Sequence, residues 1–252
     1  MSTLQTTTTT TLRRGPVPRN SLRTIASIVG WLFIVTYVTS IAAKVAFYPP
    51  LFEGDYVSGP GQDTRVLWGA VFEAVLIIAN IGTATFLWPV LKRQHESLAM
   101  SYVAARIMES VFIAVGVLSV LTVVTLRQTY AGADAGATAG LTVAGDAFVT
   151  VQEWTFGLGP NFVVGVGNGV ILGYLMYRSR LVPRRLAVLG LVGGPLLILS
   201  AAAAMVGIIE LDGTWQVLSA IPEFFWELGL GIYLVVKGFK PSPVTAGMDD
   251  ER

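Results

Sequence analysis

Cysteine is absent from the 252 residues, histidine occurs once, and charged side chains make up only 13% of the chain. Without cysteine there is neither a disulfide framework nor a thiolate metal site. With 17 Lys and Arg against 16 Asp and Glu, the formal net charge is +1, so no sequence-wide basic surface exists for nucleic acid. What the chain has instead is apolar: 53% hydrophobic side chains and a mean hydropathy of +0.65. That is too apolar for an ordinary dissolved domain and places the chain in a lipid bilayer.

A helix crossing a hydrocarbon core about 30 Å thick needs about twenty apolar residues. Six runs qualify, at about residues 24–43, 66–91, 98–126, 154–177, 186–209 and 214–236, separated by loops holding charges, Gly or Pro. The expected fold class is all-α, a polytopic bundle of six transmembrane helices. Basic loops stay on the cytoplasmic side during insertion. Arg13, Arg14, Arg19 and Arg23 precede the first run, Lys92 and Arg93 follow the second, Arg178, Arg180, Arg184 and Arg185 follow the fourth, and Lys237 and Lys240 follow the sixth. Both termini are therefore predicted cytoplasmic, and the aromatic anchors Tyr48, Trp68, Trp154 and Trp215 fall at the predicted outer ends.

Three regions divide the chain: a tail at 1–21, the transmembrane domain at 22–240 and a second tail at 241–252. The first tail is Thr-rich and poor in apolar side chains, so it is expected to be disordered. A cleaved signal peptide is the rival reading, but its apolar core spans only about 7 to 15 residues, and this run is longer. The stretch from Arg127 to Asp146, rich in Gly, Ala and Thr, reads as a flexible outer connection. The tail after Lys240 reads as a solvated extension.

Ionisable side chains near the bilayer centre cost about 2.5 to 3.5 kcal/mol each, so they normally turn inward and find partners. Here they are Glu73, Arg106, Glu109, Glu223 and Glu227, with Glu153 at an outer border. Residues three, four or seven apart share a helix face. Glu73 with Asn80, Tyr102 with Arg106 and Glu109, Asn161 with Asn168, and Ser219 with Glu223 and Glu227 all obey that spacing. Four polar stripes can thus face one interior, with a cavity wider toward the outside. Glu73, Asn80, Arg106, Glu109, Asn168, Glu223 and Glu227 are the candidate ligand- or ion-binding residues. Arg106 can pair with Glu109 or with Glu227. Either way carboxyls outnumber the single guanidinium, and a carboxylate in a dry interior must be protonated, hydrated or bound to a cation.

Gly165, Gly169 and Gly173 form overlapping small-residue steps in the fourth run, and Gly190 with Gly194 forms another in the fifth; these are the predicted helix-packing glycines. Pro195 and Pro222 can kink the last two helices.

The lone His95 lies in a short loop, which leaves no serine–histidine dyad at membrane depth. No Asp lies in any run, so a paired-aspartate protease is not expected, and a zinc hydrolase lacks its ligands. Glutamate oxygens alone would suit Mg²⁺, Ca²⁺ or Mn²⁺. No metal and no cofactor is predicted, catalysis is not expected, and nucleic acid is not a partner. The expected partners are the lipid bilayer and a small molecule, lipid headgroup or cation. The alternatives are a structural or regulatory membrane subunit whose polar cluster fixes helix packing, and a lipid-modifying intramembrane enzyme.

The stretch Trp154-Thr155-Phe156-Gly157-Leu158-Gly159-Pro160, the run from Gly173 to Arg185, Arg106 with Glu109, and Pro222-Glu223-Phe224-Phe225-Trp226-Glu227-Leu228 leading to Lys237-Gly238 together resemble the bacterial membrane family called domain of unknown function 4386. The resemblance covers roughly 22–238. It implies a multi-span helical protein of the bacterial plasma membrane and carries no established activity. It also implies a histidine near position 153 in some relatives, so a proton- or metal-handling role at that place does not carry over to Glu153.

Overall fold

In hydrocarbon every backbone N–H and C=O must be satisfied within the chain, and long apolar segments do this as helices. The computed structural model describes residues 21–52, 56–59, 61–130 and 134–246, and these contain helices and no strand. The elements are α1 (Ser21–Ile41), a π-helical turn (Ala42–Phe47), α2 (Pro49–Phe52), α3 (Asp63–Leu91), α4 (Glu96–Thr129) and α5 (Ala135–Phe156). Two further π-helical stretches (Gly157–Val163 and Gly165–Leu172) then lead into α6 (Gly173–Ser179), followed by α7 (Arg184–Met205) and α8 (Thr214–Val236). Among the described residues, six helical segments are long and apolar enough to cross a membrane, the fourth being the continuous run from Gly136 to Ser179.

The six spans form a closed ring. α1 packs on α3, α3 on α4, α4 on the fourth span, the fourth span on α7, α7 on α8, and α8 back on α1. Small residues permit the closest seams. A Cβ on Gly165 would stand 2.7 Å from the Gly194 carbonyl oxygen, so the fourth span and α7 touch backbone to backbone there. Gly169 also lies against Gly194, and Gly173 lies against Leu191. Gly190 faces another way, toward the Trp226 indole of α8. Gly30 and Gly231 make the corresponding close contact where α1 meets α8.

Sequence-based boundaries and observed ones differ in three places. The stretch from Arg127 to Asp146 is not a long flexible connection. The chain is helical from Ala135, capped by the Asp134 carboxylate, which accepts from the Ala137 N–H at 2.8 Å. Alanine is the best helix former and the cap fixes the start, while of the glycines that argue for a loop Gly145 packs closely, against Val57, and Gly140 faces open space. α7 ends at Met205, before the predicted 209, at a turn whose Gly207 adopts φ +74. The second tail begins packed rather than solvated: Ser242 donates to the Ser179 carbonyl at 2.6 Å, and Thr245 is buried. The Thr-rich tail expected at 1–21 lies outside the described residues except for Ser21, where α1 begins.

Two apolar clusters fill parts of the bundle; the smaller, around Tyr48, Val66 and Val120, packs α3 and α4 with the segment after α1, and the larger draws on all six spans. Phe33, Leu87, Tyr102, Leu172, Trp226 and Leu230 are all fully buried in the larger cluster, drawn from every span except α7, which adds Ala187. This plug lies toward the end where Arg23 donates to the Val235 carbonyl at 2.6 Å and Lys240 meets Leu181. At the other end the polar ties are Lys44 with Asp212 (2.8 Å), Arg65 with the Ala46 carbonyl (2.7 Å) and Arg127 with Asp63 (2.8 Å). Beside the last, burial and the Asp63 carboxylate push the Tyr56 hydroxyl above its ordinary range, so it stays a donor.

Candidate functional site

Just beyond the plug the interior turns polar. Arg106 of α4 is 2% exposed, and its guanidinium is met on three sides. Nη1 donates to Glu109 Oε2 at 2.7 Å, Nη2 to Asn80 Oδ1 at 2.6 Å and Nε to Thr83 Oγ1 at 3.3 Å. Asn80 returns its amide to Glu109 Oε1 at 2.8 Å, which closes a triangle of α3 and α4 side chains. Arg106 and Glu109 stand one turn apart on α4 and Asn80 faces them from α3, so helix periodicity alone aligns the group. The face of Phe33 covers the cation, 5.7 Å from ring centroid to Cζ. Of the two carboxylates open to Arg106, it takes Glu109. The pair is therefore neutral as a unit and its principal hydrogen-bonding positions are occupied.

The carboxyls of α8 are treated differently. Glu227 accepts from the Asn168 side-chain amide and also faces the Tyr37 hydroxyl, which donates to the Phe224 carbonyl at 3.0 Å. Glu223, one turn away, is 3% exposed, and neither of its oxygens has a hydrogen-bond partner. A carboxyl so placed is costly unless something donates to it. Backbone shape makes the room. A Cβ on Gly193 of α7 would stand 2.7 Å from Glu223 Oε2, and one on Gly169 of the fourth span 2.9 Å from the same atom. The two glycines cradle the carboxyl between neighbouring spans.

These groups border a cavity of about 200 Å³. Arg106, Glu109 and Asn80 form its floor, Glu223 and Glu227 one wall, and Tyr37, Phe224 and Phe156 present aromatic rings to it. At the mouth, the Lys44 ammonium sits 4.2 Å from the Phe156 ring centroid while it pairs with Asp212. Pro160 and Asn161 also border the cavity. They belong to the π-helical stretch, where a proline lacks its N–H and glycines on either side lower helix preference, so wider turns complete the backbone bonding.

Of the sequence candidates, Asn80, Arg106, Glu109, Glu223 and Glu227 border this cavity, and Asn168 stands behind Glu227. Glu73 is elsewhere. It accepts from the Tyr48 hydroxyl at 2.7 Å and borders a separate space of about 10 Å³ beside Gln152 and Thr155. Glu153 is half-buried near Lys44 and Asp212 at the mouth. His95 caps α4, its Nδ1 accepting from the Leu98 N–H at 3.2 Å. Among the described residues no group of three or more His, Asp or Glu side chains is placed to hold a metal ion.

The residues not anticipated from sequence are Tyr37, Lys44, Tyr48 and Gly193. A signal existed for the first two. Tyr37 and Ser40 of α1 and Lys44 of the π-helical turn that follows it are spaced three and four along the chain, the kind of stripe that marks the other spans. Gly193 carried none, because its role depends on a side chain of another helix.

The chain belongs to the family described as Domain of unknown function (DUF4386), whose model matches residues 28–238, from within the first span to just past the end of the sixth. No curated protein and no solved structure matches it.

Proposed function

We propose that this membrane protein binds a small ligand or ion in the cavity between its spans, with Glu223 and Glu227 as the recognising groups. Arg106, Glu109 and Asn80 form the fixed floor. One observation carries the reading: a Glu223 carboxyl with both oxygens unpartnered, nearly fully buried, on the wall of a cavity large enough to hold a ligand. A purely structural carboxyl at that depth would be expected to hold donors, as Glu109 and Glu73 do. Transport with proton exchange at the two glutamates is the fuller form of the proposal. The plug on one side and the cavity on the other suit one face of an alternating-access cycle.

A bacterial plasma membrane, with both termini cytoplasmic, completes the proposal. Its support is the excess of Arg and Lys at the plugged end and the family resemblance. A second reading has its own observation. The closed Arg106–Glu109–Asn80 triangle is what a packing device would look like, and on that reading the protein is a structural or regulatory subunit. Thermal unfolding of the purified protein against lipids, cations and metabolites, wild type beside Glu227→Gln, separates the two. A ligand held by the folded state must raise its stability, and Glu227→Gln must blunt that rise. A variant that is merely less stable, with no compound acting on the wild type, favours the structural subunit.

A further inference from the structure

The unmet groups around the cavity share one chemical character. On the cavity wall both Glu223 oxygens are buried without a partner, and behind Glu227 the Asn168 Oδ1 is likewise unmet, so the unsatisfied groups here are acceptors that call for donors. Both cations near the cavity are already engaged: Arg106 by Glu109 and Asn80 at the floor, and Lys44 by Asp212 at the mouth. Among the described residues Glu223 and Glu227 on the cavity wall form no ion pair with either cation, and an entering cation would favour their ionised, accepting form. An anionic ligand would meet no free cation there.

The remaining lining is aromatic. Tyr37 and Phe224 meet edge to face with centroids 5.1 Å apart, and Phe156 already has an alkylammonium, the Lys44 side chain, over its ring at 4.2 Å. Carboxylates combined with ring faces are the surroundings that an organic ammonium favours. A hard metal ion needs a cage of oxygens, and no group of three or more His, Asp or Glu side chains is placed to hold one among the described residues. Water occupies about 30 Å³ per molecule in the liquid, so a cavity of about 200 Å³ holds a ligand of about seven non-hydrogen atoms.

Resting on the reading of the cavity as a ligand site, we infer that its occupant is a small organic ammonium, whose N–H groups donate to Glu223 and whose body lies among Tyr37, Phe156 and Phe224. The amine can come from either of two sources, a free small molecule or the ammonium headgroup of a lipid. Ile41 and Phe224 line the cavity and are 47% and 37% exposed, so the cavity is open beside apolar side chains of α1 and α8 that a lipid can also meet.

The test is thermal unfolding of the full chain in detergent with n-butylammonium, n-butanol, butyrate and Na⁺ as probes, and in nanodiscs with and without phosphatidylethanolamine. Wild type, Glu223→Gln and the cavity-filling Ala220→Phe are compared. At about a hundred times its Kd, n-butylammonium is expected to raise the midpoint by about 5 °C, with butanol, butyrate and Na⁺ inert. Glu223→Gln should raise the half-saturating concentration at least tenfold and Ala220→Phe should abolish the response. Stabilisation by phosphatidylethanolamine that n-butylammonium displaces assigns the amine to a lipid, and its absence assigns it to a free molecule. A response to butanol or butyrate that Ala220→Phe removes overturns the ammonium assignment and keeps the ligand site. An ammonium response that survives both substitutions places binding elsewhere and overturns the inference, while no response to any probe overturns site and assignment together.

Discussion

Glu223 and Gly193 are in contact across the seam of α8 and α7: a Cβ on Gly193 would lie 2.7 Å from the carboxyl and 2.5 Å from the Glu223 backbone nitrogen. The carboxyl fits beside the cavity because positions 193 and 169 have no side chain. Gly193→Ala is therefore expected to destabilise the protein by about 1 to 3 kcal/mol, since backbone cannot yield as a flexible side chain can. Unfolding of Gly193→Ala beside Gly140→Ala, whose added methyl meets nothing, measures this. Equal stability of the two variants would contradict the contact.

The Arg106–Glu109–Asn80 triangle predicts strong coupling. Removing one partner of a buried ion pair costs about 3 to 5 kcal/mol, because the other charge is left unpaired. Arg106→Ala and Glu109→Ala should each be severe, and the double variant should cost much less than their sum. A double-mutant cycle read by unfolding checks it, additive losses being the adverse result. Arg106→Lys should not rescue, since an ammonium cannot reproduce the three directions in which the guanidinium donates.

Tyr48 and Glu73 form a pair apart from the cavity. Tyr48→Phe strands a buried carboxyl and should cost about 1 to 3 kcal/mol. It should leave every ligand response unchanged. If ligand affinity falls with Tyr48→Phe, the two sites are not independent.

Because the natural chain has no cysteine, single cysteines report access without background. Ser40→Cys at the cavity should react with a small water-soluble thiol reagent added from outside, and Leu230→Cys in the plug should not. Gly207→Cys, in the loop before α8, should label from outside in intact cells, whereas Ser97→Cys should require permeabilised ones. The reverse pattern would invert the proposed orientation.

The stripe formed by Arg106 and Glu109 was legible because three residues along a helix bring side chains onto one face whatever surrounds them. Asn80, Asn168, Glu223 and Glu227 were legible as inward-facing for the same reason. Their partners were not, because Asn80 and Glu109 are 29 residues apart and Asn168 and Glu227 are 59. Glu73 shared the stripe of Asn80 and still went to Tyr48, because the chain beyond α1 folds back beside α3 and offers a hydroxyl first. Pattern reports which face turns inward; it does not report which neighbour reaches that face.

The sequence by itself determined that this is a membrane protein of six helical spans, because burial in hydrocarbon depends on the run length and composition of each segment, which are local properties. It determined the four polar stripes by the same local periodicity. The tertiary structure decided how the six spans close into a ring, where that ring is plugged, that Arg106 takes Glu109, and that Gly193 and Gly169 leave Glu223 room and no partner. Those outcomes depend on distances between helices, and a distance of a few ångströms across a seam is fixed only when all the side chains along it have packed.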